Sequence, residues 1–118
     1  MSAPVRKAEV IASLNDQFRL SLAPVLVPGV KLITHGIDCL SPAARAEIWN
    51  AVREFSDFTE DNDPYGEHDF GSFDHPEAGK VFWKIDVFAD SQCQCGAEYP
   101  DDPARSFRVL TINLAEEY

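Results

Sequence analysis

Ile11, Leu14, Phe18 and Leu22 recur at spacings of three and four within residues 5–22, VRKAEVIASLNDQFRLSL. That rhythm predicts an amphipathic helix with its polar residues on the opposite side. Pro24 and Pro28 in the APVLVPG stretch that follows cannot continue it. VKLITHG, residues 30–36, alternates weakly and is rich in β-branched residues, which predicts a short strand closed by Gly36. Ser41-Pro42 then offers an N-cap followed by proline at the first helical position. Behind it Ala44, Ile48, Val52 and Phe55 trace one face of a second helix to about residue 56, and Trp49 beside that face reads as core.

Three strands are expected in the second half. DFGSFD, residues 69–74, is short and contains a glycine, and HPEAG is the turn leading into KVFWKIDVFA, residues 80–89. There Val81, Trp83, Ile85 and Val87 form one face, and Phe82, Lys84, Asp86 and Phe88 the other. Residues 90–105 form a sixteen-residue polar loop, a length associated with function or disorder. The last strand, in SFRVLTINLAEEY, divides into Phe107, Val109, Thr111 and Asn113 against Arg108, Leu110, Ile112 and Leu114. The order α-β-α-β-β-β predicts an α+β fold, with two helices packed on one face of a mainly antiparallel sheet of about four strands. At 118 residues the chain is expected to be a single domain, 1–118, with one core.

Composition sharpens this in two ways. No apolar run approaches a membrane span and no signal-peptide pattern opens the chain, so a cytoplasmic protein is expected. The net charge of −10 is unevenly placed: residues 1–56 carry six basic and five acidic side chains, residues 57–118 four basic and fifteen acidic. Such a field disfavours nucleic acid and membrane as direct ligands and favours cations or a basic protein surface. It also serves plain solubility.

The acidity begins at EDNDPYGEHDFG, residues 60–71, with five carboxylates, one histidine, two glycines and no Lys or Arg. Asp63-Pro64-Tyr65-Gly66 predicts a β-turn, with Asn62 or Asp63 bonding downstream amides and Glu67 and Asp69 placed to pair with Arg or Lys of the sheet. An EF-hand register starting at Asp61 places Asp63 and Gly66 correctly but puts Tyr65 and Ser72 where ligands are required. A looser transition-metal set of Asp61, Asp63, Glu67, His68 and Asp69 stays open. A His68–Asp69 dyad is disfavoured because neighbours on a strand point to opposite faces, which would put Glu67 and Asp69 together. No nucleophile elbow or phosphate-cradling loop is present, and no catalytic residue or cofactor is assigned.

FTEDNDPYGEHDFGSF, followed by VFWKIDVF and RVLTINLAEEY, closely resembles the bacterial family known as domain of unknown function 3768; LNDQFR and LITHGI fit the same pattern. The resemblance runs roughly from Leu14 to Tyr118. It implies a small protein of mostly alphaproteobacterial distribution, often carried on mobile elements, with no assigned activity. Cys93-Gln-Cys95 falls outside the family pattern and is tighter than usual zinc spacing; Cys39 would be a third ligand at best, leaving free thiols as the expectation.

The expected role is therefore a small acidic interaction protein. Asp57, Glu60, Asp61, Asp63, Tyr65, Glu67, Asp69 and Asp74 are its candidate contact residues. A basic protein surface is its expected partner, such as a nucleic-acid site of a CRISPR or restriction complex that the carboxylates would mimic. The metal-binding loop is the alternative, and a structural subunit the third reading.

Overall fold

A computed structural model describes residues 7–21 and 27–118. Pro24 and both ends of the expected 5–22 helix lie outside those residues. Helix α1 spans Lys7–Leu20 and strand β1 Gly29–Ile33. Helix α2 is the single turn His35–Asp38, and α3 runs Pro42–Glu54. Strands β2 (Phe70–His75), β3 (Gly79–Phe88) and β4 (Phe107–Leu114) follow. Short 3₁₀ turns occupy Pro103–Arg105 and Ala115–Glu117.

The fold is α+β with a four-stranded sheet in the order β1-β4-β3-β2. The sheet is mixed, not mainly antiparallel. β3 pairs antiparallel with β2 and β4, but β1 lies parallel to β4, with Val30 opposite Val109 and Leu32 opposite Thr111. The parallel arrangement requires a long crossover, and here the chain between β1 and β4 contains α2, α3 and the β2–β3 hairpin. LITHGI is the other departure: Thr34 is still extended, after which the chain turns helical through α2 and buries Ile37.

One core joins the helices to a single sheet face. Leu14 and Phe18 of α1 and Ile48 and Val52 of α3 meet Val81, Trp83 and Ile85 of β3 and Leu110 and Ile112 of β4. The alternation along β3 holds as expected, as does the cap of α3, where Ala44 N–H donates to Ser41 Oγ at 3.1 Å. Trp49 is partly buried against this core. The polar segment 90–105 is not structureless: it folds back on β3, with Ala89 N–H donating to Cys95 O and Ala97 N–H to Val87 O.

Gly71 fits where nothing larger can. A Cβ there would stand 2.5 Å from Trp83 Nε1 and 2.8 Å from Phe55, inside a well-packed centre. Gly71→Ala should therefore cost about 1–3 kcal/mol, read from urea unfolding, because the fully buried indole has no direction in which to retreat. A wild-type unfolding midpoint would refute this packing.

Candidate acidic interaction site

Residues 55–69 connect α3 to β2, and the shape of the acidic part from residue 57 follows from local polar bonds. Asn62 accepts from Thr59 N–H at 2.7 Å and donates to Asp57 O at 2.7 Å, closing the first turn. The Asp63–Gly66 β-turn is present: Gly66 N–H reaches Asp63 O at 3.1 Å, and Gly66 takes the positive φ of 68° that suits glycine. The Asp63 carboxylate accepts from the amides of Glu67 at 3.1 Å and His68 at 3.2 Å. Asp63 is thus only 7% exposed and leaves the contact surface to which the sequence assigned it.

The loop is then fixed to α1, through residues the sequence reading missed. His68, at φ 56°, stacks flat on Phe58 with ring centroids 4.0 Å apart. Its Nδ1 lies 2.9 Å from Asp16 Oδ2, and Arg19 bonds the other side of that carboxylate at 3.0 Å. Arg19 also donates to the carbonyls of Val52 and Arg53, and its guanidinium lies over Phe58 and Trp83. Next to it, Asn15 donates to Glu67 O at 3.0 Å and accepts from Arg108 Nε at 2.6 Å. Arg108 completes its fork on Ser106 Oγ and Pro100 O. It is fully buried with no carboxylate partner among the described residues, and burial pushes its guanidinium down to about 10. The polar residues of α1 are therefore not all turned away: Asn15 and Arg19 are buried beside Leu14 and Phe18. The available signal was spacing, since Asn15 sits four residues after Ile11 and Arg19 four after Asn15.

With His68 and Asp63 engaged internally, the remaining carboxylates spread outward. Glu60 and Asp61 are exposed, as is Asp57, and Tyr65 at the turn tip is 79% exposed. Glu67 and Asp69 are half-buried and precede β2 instead of alternating within it, and among the described residues neither gains the Arg or Lys partner expected from the sheet. Asp74 lies on β2, opposite Lys80, apart from the loop. Burial raises the Asp69 carboxyl, with Asp63 and Asp86 adding to the rise. Burial likewise raises Glu67, reinforced by Asp69 and Asp63.

These shifts give a pH prediction. Asp69 holds its proton more tightly folded than unfolded, so its contribution is fully favourable below the unfolded pKa of about 4 and is lost as pH rises through the folded value. At pH 7 its charge opposes folding. Asp69→Asn should unfold at a higher temperature than wild type at pH 7, with the difference closing toward pH 4; a variant less stable at pH 7 would show the charge to be compensated.

The metal set of Asp61, Asp63, Glu67, His68 and Asp69 is not assembled. Asp61 faces solvent, Asp63 caps loop amides, and His68 is paired to Asp16. Among the described residues no three His, Cys, Asp or Glu side chains stand together as metal ligands. The cysteines are free, and Cys39 lies beyond the opposite end of β4 from Cys93 and Cys95. Cys39 Sγ instead stands 3.4 Å from His35 Nε2. Among the described residues no helix is long and apolar enough to cross a membrane.

A family model described as "Protein of unknown function (DUF3768)" matches residues 33–117. The match takes in the acidic loop and strands β2, β3 and β4, while all of β1 but Ile33, and α1 with its LNDQFR, which holds the loop down, precede it. No curated protein and no solved structure matches the chain.

Proposed function

The chain belongs to the family described as Protein of unknown function (DUF3768), and on that footing we propose that it is a small interaction protein whose acidic loop docks on a basic protein surface. One observation carries this reading. The loop is pinned by Asn15, Asp16, Asp63 and His68, yet among the described residues Glu60, Asp61, Glu67 and Asp69 form no ion pair with Lys or Arg, Lys7 giving Glu67 a Coulombic pull only. Ionised Asp69 and Glu67 also work against folding, and groups retained at a stability cost are a mark of function.

Carboxylates spread over a pinned loop carry the same sign of charge as phosphates, and exposed Tyr65 at the turn tip offers an aromatic anchor of the kind that dominates binding hot spots. A protein that binds nucleic acid through Lys and Arg would meet a competitor there. The partner we assign is the nucleic-acid site of a defence complex of the CRISPR or restriction type, in a cytoplasmic setting. The spread of the carboxylates favours such a face over a metal centre. The test is capture of purified effector complexes on immobilised protein at low and high salt, with DNA as competitor. Capture that salt and DNA both abolish supports the reading; no salt-sensitive capture, or capture that DNA leaves intact, overturns it.

A further inference from the structure

The helices cover only one face of the sheet. By strand parity the other face carries Val30, Leu32, Phe70, Phe82, Phe88 and Phe107, none of which belongs to the core cluster. Val30 is 43% and Leu32 50% exposed, side by side on the edge strand β1. A sheet face left in water normally alternates to polar residues. Among the described residues Tyr118 folds over one corner, with ring centroids 6.3 and 5.0 Å from Phe70 and Phe82, and Val109 and Asn113 at the centre of the face are buried, which leaves the β1 edge with Val30 and Leu32 its most open apolar part.

The charges on this face differ from those of the rest of the molecule. They are Asp74, Lys80, Lys84 and Asp86: Asp74 stands opposite Lys80, and Lys84 Nζ lies 3.3 Å from Asp86 Oδ2. Two acids and two bases sum to zero on a chain of net charge −10. A basic partner would find no field here, and an anionic lipid surface no positive one. A second copy fits: a twofold axis over the face sets Lys84 of each copy against Asp86 of the other, so that the two faces meet with no net charge between them. Four strands of 5, 6, 10 and 8 residues, about 4.8 Å apart, outline roughly 450 Å² per copy. A total of about 900 Å² falls in the range of weak, transient interfaces.

We propose that this sheet face is a self-association surface, on which two copies pack face to face as a weak, symmetric dimer. Because the copies repel, added salt strengthens the dimer, the reverse of its effect on the acidic-loop contact. The proposal is independent of that contact.

Sedimentation of the full chain across a range of concentrations, at low and high salt, tests it. The expected mass climbs from 13.1 kDa toward twice that value, sooner at high salt. Val30→Thr with Leu32→Thr places residues of good strand propensity on the exposed strand, and should hold the protein monomeric with unchanged circular dichroism. Lys84→Glu should also abolish the dimer, and Lys84→Asp combined with Asp86→Lys should restore it. A mass of 13.1 kDa under every condition overturns the proposal. So does a dimer that the threonine variant leaves intact, or one the charge swap does not restore. If the threonine variant instead loses captured effector complex and wild type stays monomeric, the face belongs to that partner and the proposal fails.

Discussion

Arg108→Ala is expected to lose about 3 kcal/mol of folding stability, the sum of several broken charge-assisted hydrogen bonds and the polar groups they leave behind. The guanidinium is fully buried and donates to Asn15 Oδ1 at 2.6 Å, Ser106 Oγ at 3.0 Å and Pro100 O at 2.6 Å. No water can replace it without entering the core, and Asn15 would be left holding Glu67 O from one side only. For a domain of this size the loss corresponds to a fall of roughly 10 °C in Tm. Arg108→Lys should recover little of it, because an ammonium cannot reproduce a planar fork aimed at three acceptors. Urea unfolding checks both variants; an alanine variant within about 0.5 kcal/mol of wild type, the range of ordinary surface substitutions, would mean that the network holds nothing together.

The second large effect concerns binding. Neutralising Glu60, Asp61, Glu67 and Asp69 together, as Gln, Asn, Gln and Asn, removes four charges and no shape. If each is worth about 0.5 kcal/mol or more against a basic surface, affinity should fall about 30-fold or further at low salt. The fall should come mainly through a slower association rate. The variant should fold at least as well as wild type at pH 7, since ionised Glu67 and Asp69 both oppose folding. Lost binding with undiminished stability separates a contact surface from a structural loop.

What the sequence disclosed was what neighbours along the chain decide. The alternation of Val81, Trp83, Ile85 and Val87 marked the core face of β3, and the Ser41-Pro42 cap opened α3 where expected. Asp63, Pro64 and Gly66 made their turn because each supplies its own local constraint. Contacts between distant residues were not legible. Asp16, not Asp69, is the partner of His68, and the two are 52 positions apart. The parallel pairing of β1 with β4 likewise leaves no local trace, because short apolar strands pair equally well either way. Arg108 did leave one. Its parity put it on the face of Leu110 and Ile112, and a charge in that company signals a buried network. Of the candidate contact residues, Asp63 went inward because two amides needed an acceptor, and Asp74 went to the sheet.

Arg108 also alters the meaning of the net charge. It is one of only four basic residues after position 56, and it lies inside. Arg105 is paired with Asp102, Lys84 with Asp86, and Lys80 faces Asp74. The acidic loop therefore meets solvent with almost no positive charge from its own half of the chain.

The most direct test of a carboxylate face that meets a basic site is affinity for one purified effector complex as a function of salt, for wild type and the four-fold neutral variant. The account predicts a steep fall in log affinity with log salt for wild type, and a shallower, weaker line for the variant, the two converging at high salt. Parallel lines of equal affinity would contradict it.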